Sequence, residues 1–259
     1  MPADGLVSFD SGVLGGYTDN LNNASSDEDK TGSEFLDAWF SASLADERIL
    51  DPAQIYLTGT YERINYTDYS DLAVNNLILE TGFSYPFSEV TVFSIEPFSG
   101  SSNYNDSDRN ATFHGFSIVL QQTFSNLDTS LGYTYTDNDA KESVFSYTSK
   151  ELRLSGEIEM WNSIFCSVSY AVTSSESVRY QTILVPIPSG GKMGKPSVTF
   201  APREIAYRTE TSGNVFSLNL EKKVAGRISL LIDYSHSYVK SDTGNYRINA
   251  ISGGIGYRF

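Results

Sequence analysis

Apolar and polar residues alternate along almost the whole chain, and almost nowhere do apolar side chains recur at helical spacing. A period of two sends successive side chains to opposite faces of an extended backbone, so such a chain is predicted to be nearly all strand. Leu36, Ala38, Phe40, Ala42 and Leu44 share one face of a segment whose other face carries Asp37, Trp39, Ser41 and Ser43. The same split recurs in Ile55, Leu57, Gly59 and Tyr61 against Tyr56, Thr58, Thr60 and Glu62, and in Leu77, Leu79 and Phe83 against Asn76, Glu80 and Ser84. Later strands repeat it, with Leu152, Leu154 and Ile158 opposing Arg153, Glu157 and Glu159, and Ile228, Leu230 and Ile232 opposing Ser229 and Asp233. No segment approaches the roughly 18 consecutive apolar residues of a spanning helix.

Two all-β architectures fit alternation, a soluble sandwich and a closed barrel whose apolar face meets lipid. Connector lengths separate them. After odd strands, counted from Leu6, the connectors are long and polar: 18–33, 65–73, 99–110, 137–149, a stretch within 174–206, and 240–244. After even strands they are short (86–89, 124–126, 161–162, 223–226), with 46–52 the longest. Long loops on one rim and tight turns on the other are what a membrane barrel needs, with the turns toward the periplasm. Aromatics also gather at strand ends: Tyr17, Tyr61, Tyr135, Tyr170 and Tyr234 toward the long-loop rim, and Tyr85, Phe87, Phe124, Trp161 and Tyr257 toward the other. Rings with an apolar body and a polar edge settle at membrane interfaces. The expectation is an all-β, transmembrane, antiparallel up-and-down β-barrel of about twelve strands, a single domain over residues 1–259, with both termini on the short-turn side. Fourteen strands is the alternative if 178–185 and 197–207 each span. Twelve is preferred, because 187–195, around Pro188-Ser189-Gly190-Gly191, is long and Gly-rich for a short-side turn.

Composition removes several functions. A formal charge of −14 with 18 scattered Lys and Arg opposes binding to nucleic acid, and one Cys, two His and three Met leave little for metal or thiol chemistry. No cofactor or metal site is expected. Met1 to Gly5 has no charged and apolar leader, so Met1 reads as a start placed before a mature chain.

The end of the chain, from Tyr246 to Phe259, resembles the C-terminal signature of bacterial outer-membrane barrels, a terminal Phe preceded by apolar or aromatic residues at alternate positions. Ile251, Ile255, Tyr257 and Phe259 match it. The resemblance implies recognition by the barrel-assembly machinery, with Ile255, Tyr257 and Phe259 as the assembly signal, and residence among outer-membrane lipid and lipopolysaccharide. The opening Gly15-Gly16-Tyr17-Thr18-Asp19-Asn20-Leu21-Asn22-Asn23 is similar to the first strand and loop of a barrel group that includes surface-lipoprotein assembly modifiers. That similarity implies an export barrel with a periplasmic partner, although the helical repeats of that group are not in this sequence.

Turning the apolar faces outward points Asp37, Glu62, Glu80, Glu96, Glu157, Glu159 and Asp233 into the lumen, against Arg153 and Arg258. A water-filled lumen of one sign concentrates counter-ions, which predicts a porin-like channel that prefers cations. If the two arginines pair with these carboxylates across a narrow lumen, the same residues instead make a plugged structural barrel. An enzyme is the third class, and it is not expected. Lipid-hydrolysing outer-membrane barrels carry a His and a Ser two residues apart on the lipid-facing wall, whereas here His114 is followed at that spacing by Phe116 and His236 by Tyr238. Only a cross-strand pairing remains open. The stretch from Asp106 to Asn110 begins like a calcium loop but has Ala111 where Gly is required and Ser117 in place of the bidentate Glu. Acidic loop residues Asp27, Glu28, Asp29, Asp106 and Asp108 are read as solvated charge.

Overall fold

The computed structural model describes residues 7–26, 28–50, 52–161, 163–182, 196–197 and 204–259. Met1 to Gly5, Asp27 and the tip around Pro188 to Gly191 lie outside them. In chain order the strands are β1 Val7–Thr18, β2 Ser33–Leu50, β3 Ala53–Tyr66, β4 Val74–Ser88, β5 Thr91–Tyr104, β6 Ala111–Phe124 and β7 Leu127–Ala140. There follow β8 Tyr147–Glu159, β9 Ile164–Thr182, β10 Pro196–Ser197, β11 Glu204–Ala225, β12 Ile228–Ser241 and β13 Tyr246–Arg258. Every strand is antiparallel to its neighbours, and β1 pairs with β13 from Asp10↔Arg258 to Thr18↔Ala250. That ladder closes the sheet. Apart from the two-residue β10, which pairs only with β11, twelve strands form a closed up-and-down barrel, as the alternation predicted.

Closure is what makes this backbone compatible with lipid, because an open edge would leave N–H and C=O groups unpaired where no water can reach them. The seam is built from glycine. Gly12↔Gly256, Leu14↔Gly254 and Gly15↔Gly253 face each other across it. A Cβ on Gly254 would lie 1.9 Å from the Val13 carbonyl oxygen, so the first and last strands approach closely only because this residue lacks one. The terminal Phe259 extends the seam, its N–H donating to the Phe9 carbonyl at 2.9 Å and its ring meeting Phe9 edge-on at 6.1 Å.

The strands are longer than the sequence reading placed them. Ser99–Tyr104 and Asp137–Ala140 continue their ladders, and the 46–52 connector is taken up by β2 as far as Leu50, with an irregular register between Asp46 and Leu50. In these stretches both faces are polar, so the apolar alternation fades while the backbone hydrogen bonds continue. The segregation of long and short connectors holds. Residues 19–32, 67–73, 105–110, 141–146 and 242–245 link strands at one rim, where β9 and β11 also run on beyond their neighbours, and 51–52, 89–90, 125–126, 160–163 and 226–227 link strands at the other. Of the segments considered as further spans, 178–182 lies in β9 and 204–207 in β11, which prolong two wall strands beyond the rim, while 183–185 and 198–203 lie outside the described residues.

Packing is inverted relative to a globular protein. Leu36, Leu77, Leu79, Leu154, Ile232, Ile251 and Ile255 are each about half or more exposed on the outer face. Tyr17, Tyr61, Tyr170, Phe87, Phe124 and Trp161 are exposed beside them. An apolar surface of that extent around the whole wall is a lipid-facing belt. The two most completely buried larger side chains are polar, Asn20 and Ser33, and both lie at the long-loop rim. Seam geometry gives a direct test. Gly254→Ala is expected to destabilise the barrel by about 1–3 kcal/mol through overpacking, whereas Gly253→Ala, whose Cβ meets only Leu231 O at 3.5 Å, is tolerated. Loss of heat-modifiable gel migration at lower denaturant in the first variant alone is the expected result; equal behaviour of the two would contradict it.

Candidate functional site: the lumen wall

Along each strand the residues between the lipid-facing ones point inward, and cross-strand hydroxyl pairs line much of this inner face. Ser41 bonds Thr60 at 2.8 Å, Ser43 bonds Thr58 at 2.9 Å, Ser117 bonds Thr134 at 3.0 Å and Ser130 bonds Ser155 at 2.6 Å. Such short side chains satisfy one another along the wall and project little from it.

Five of the inward rings lie over glycine. Each of Phe35, Trp39, Tyr56, Phe98 and Phe113 stands directly opposite a glycine on the adjacent strand: Gly16, Gly12, Gly82, Gly115 and Gly100 respectively. A Cβ on Gly12 would come within 2.3 Å of the Trp39 ring, and one on Gly82 within 1.9 Å of the Tyr56 ring, so each ring occupies the space its partner vacates. Aromatic cover of a strand glycine both strengthens the pair and keeps the ring against the wall. The Tyr56 ring passes over β4 in this way, and its hydroxyl donates to Glu96 on β5 at 2.7 Å.

All of the sequence-predicted lumen residues sit at inward positions of the register. On four consecutive strands, β2 to β5, come Asp37, Glu62, Glu80 and Glu96. Glu62 accepts from Asn76 at 2.6 Å, and Asn76 in turn accepts from Ser102 at 2.8 Å, a hydrogen-bonded row across β3, β4 and β5. No inward position on these four strands carries Lys or Arg among the described residues, and none of the four carboxylates has an ion-pair partner there. On the remaining wall Glu157 accepts from Ser167 at 2.6 Å, Asp233 from Asn219, and Glu159 is exposed near the short-turn rim.

Both predicted lumen cations are paired locally. Arg153 Nε meets Glu151 on its own strand at 2.7 Å and Nη1 donates to Ser169 at 3.0 Å, while Arg258 reaches Asp10 on β1 at 3.3 Å. Neither reaches across the lumen to the β2–β5 carboxylates, so the bridging that a side-chain plug requires is not made by these arginines. The sequence reading missed inward Asp10, Asp128, Glu151, Glu221 and Lys223. All five lie near strand ends or among polar neighbours, where alternation gives no face, and only the register assigns them. Lys223 lies over the Phe165 ring at 4.1 Å, and Glu221 accepts from Ser229 at 2.5 Å.

The histidines point outward. His236 Nδ1 is bonded to Asn249 at 2.7 Å, and Asn249 donates to Asp19 at 2.6 Å, a small polar network at the long-loop end. For His114 the register supplies the cross-strand neighbours that its own strand lacks, with Ser99 on β5 and Asp137 on β7 directly beside it. No hydrogen bond joins any two of the three among the described residues, and the backbone N–H groups around them are used in the sheet ladder, leaving none for an oxyanion. A triad needs both the linked hydrogen bonds and those donors. Asp106, the first residue of the calcium-like stretch, instead accepts from Asp108 N at 3.2 Å and pairs with Arg109 at 3.3 Å, shaping a 3-10 turn.

No family model matches this chain, and no curated protein matches it. Among solved structures it is similar to an outer-membrane channel from Pseudomonas putida F1, with a TM-score of 0.60 and 12% identity over 100% of this chain and 99% of that one. The NanC porin is also similar, with a TM-score of 0.52 and 10% identity over 95% of this chain and 98% of that one. These similarities establish the fold, that of the bacterial outer-membrane β-barrels. The unlinked row of Ser99, His114 and Asp137 carries its own test: a fluorophosphonate probe is expected to leave the folded protein unlabelled in outer-membrane lipid. Labelling that vanishes in Ser99→Ala would reverse that reading.

Proposed function

We propose that this barrel resides in a bacterial outer membrane and is a passive diffusion channel whose lumen favours small cations and cationic solutes. The observation that carries the reading is the sign of the wall, with Asp37, Glu62, Glu80 and Glu96 on four consecutive strands and the inward arginines held by other carboxylates. A low-dielectric wall focuses such a field into the water it encloses, raising the local concentration of cations and lowering that of anions. The rings over glycine and the hydroxyl pairs support a water-filled axis. The P. putida protein and NanC, described as an outer-membrane channel and a porin, are consistent with this use of the fold.

Orientation follows from the connectors, with long loops outside the cell and short turns in the periplasm. The terminal Ile255, Tyr257 and Phe259 then lie at the periplasmic rim, accessible to the assembly machinery as the chain inserts.

The test is single-channel conductance of refolded protein in planar bilayers, with selectivity taken from the reversal potential in a salt gradient. Cation-selective steps are expected, and Glu80→Gln with Glu96→Gln should move the cation-to-anion permeability ratio toward one, as should Glu157→Gln to a smaller extent. Raising the salt from about 0.1 M to about 1 M shortens the screening length from about 10 Å to about 3 Å, so wild-type selectivity should fall in parallel. Silence after verified insertion, or anion selectivity, would overturn the reading.

A further inference from the structure

β9 and β11 outlast their neighbours. β8 stops pairing with β9 at Ser149↔Ser175, and β12 begins pairing with β11 at Thr211↔Ser241. Between those limits Glu176–Thr182 and Glu204–Glu210 pair with one another as a two-stranded ribbon standing beyond the wall. A free ribbon is marginal in water unless something else holds it.

Three arginines hold it, and they reach in different directions. Arg179, only 4% exposed, donates to Asn23 O at 3.1 Å in the β1–β2 connector. Its Nη1 donates to Thr243 Oγ1 at 2.7 Å and to Gly244 O at 3.1 Å in the β12–β13 connector, and its guanidinium lies 5.3 Å from the Tyr246 ring. Asn23 completes the clasp by donating to Val178 O at 2.9 Å. Arg208 turns the other way, donating to Ser146 O at 2.8 Å in the β7–β8 connector while pairing with Glu176 at 3.4 Å. Farther round that side, Arg109 in the β5–β6 connector hydrogen-bonds the Tyr180 hydroxyl and stacks 4.4 Å from Phe145. The ribbon is thus fastened at once to connectors on both sides of its own strands, as far round as β5–β6 in one direction and β1–β2 in the other. Those connectors ring the mouth, so a ribbon bonded to all of them lies across it. Beneath it, between the ribbon and the inner wall of β4 to β8, is a cavity of about 560 Å³.

Resting on the channel reading above, we propose that this ribbon is the narrowest point of the permeation path and sets the size limit of the solutes admitted, while the acidic wall sets their charge. Arg109, Arg179 and Arg208 are positioning residues: each bonds loop or ribbon groups and fixes the width of the gap. The barrel wall beyond the ribbon is lined largely by Ser, Thr, Gly and rings over glycine, so size selection falls to the mouth. Solutes wider than the gap beside the ribbon are excluded.

The experiment compares wild type with the triple variant Arg109→Ala, Arg179→Ala and Arg208→Ala. Barrel integrity is checked by heat-modifiable migration, and ribbon release by hydrogen exchange of residues 176–180. Conductance should rise at least about twofold, and the polyethylene glycol size that blocks it should increase, with the cation-to-anion ratio no lower than in wild type, because the β2–β5 carboxylates are untouched and three positive charges leave the mouth. A variant that conducts where wild type is silent would overturn both the channel reading and the size limit, because the ribbon would then close the pore rather than set its width. If exchange shows the ribbon released but conductance and polymer cut-off match wild type, the constriction is elsewhere and the inference falls while the channel reading stands. Unchanged exchange overturns the latches themselves. Two silent, correctly inserted proteins overturn both the constriction and the channel.

Discussion

Every other feature of this molecule depends on the β1–β13 ladder. A spanning sheet in hydrocarbon has no tolerance for an unpaired edge, so the chain must return its last strand to its first in register. Glycine lets it do so: with Val13 O 1.9 Å from where a Gly254 Cβ would stand, a larger residue there would push the two strands apart. Once the ladder closes, the alternation acquires an inside and an outside, and each residue's chemistry is fixed by parity alone. Leu230 and Ile232 must meet lipid because Asp233 meets water.

Closure also explains why the described residues include few buried apolar side chains and where the packing went. The apolar side chains that would fill a globular interior are on the outer belt, and the enclosed face is polar and small. What remains to be packed is the long-loop end, where connectors must cover one another without lipid or a sheet to help. There, among the described residues, Asn20, Asn22, Ser33, Asn138 and Arg179 are buried beside small or single apolar groups such as Ala24, Leu72 and Val74. Polar side chains suit this position because each can satisfy loop backbone that no ladder reaches. Asn20 donates to Ala24 O at 2.9 Å and to Arg247 O at 2.8 Å, and accepts from Ala24 N at 2.8 Å. Asn23 adopts positive φ, 57°, which places its side chain and carbonyl toward the ribbon. Removal of such a buried donor leaves its partners unsatisfied, which costs more than the bond itself contributes.

The barrel was legible in the sequence because its two strongest signals are local: period-two alternation and the lengths of successive connectors. The inward placement of Asp37, Glu62, Glu80 and Glu96 follows from the same parity and needs no structure. Pairings between strands are a different matter, since nothing within β5, β6 or β7 announces that Ser99, His114 and Asp137 will share a row, or that Tyr56 will lie over Gly82. Those are facts of register, which depends on where each turn reverses the chain. The ribbon was half legible: the extra length of 174–206 was visible, but its latches join residues such as Asn23 and Val178 that are 155 positions apart. Strand ends were read too short because beyond the apolar belt both faces turn polar while hydrogen bonding continues.

Charge and size are governed by separate parts of this chain, and the separation has a physical basis. Wall carboxylates act through a field that extends about a Debye length and tolerates small displacements, so they can sit on regular strands whose geometry is fixed by the ladder. A size limit depends on steric gaps of an ångström or two, which a regular wall of Ser, Thr and Gly cannot adjust without changing the number of strands. Loops can adjust it. A change in the length or anchoring of the β9–β11 ribbon moves the gap while leaving every wall hydrogen bond intact, and a change at Glu80 or Glu96 alters the field while leaving the gap alone. A barrel arranged in this way can vary what it admits along two independent coordinates without endangering the closure on which it stands.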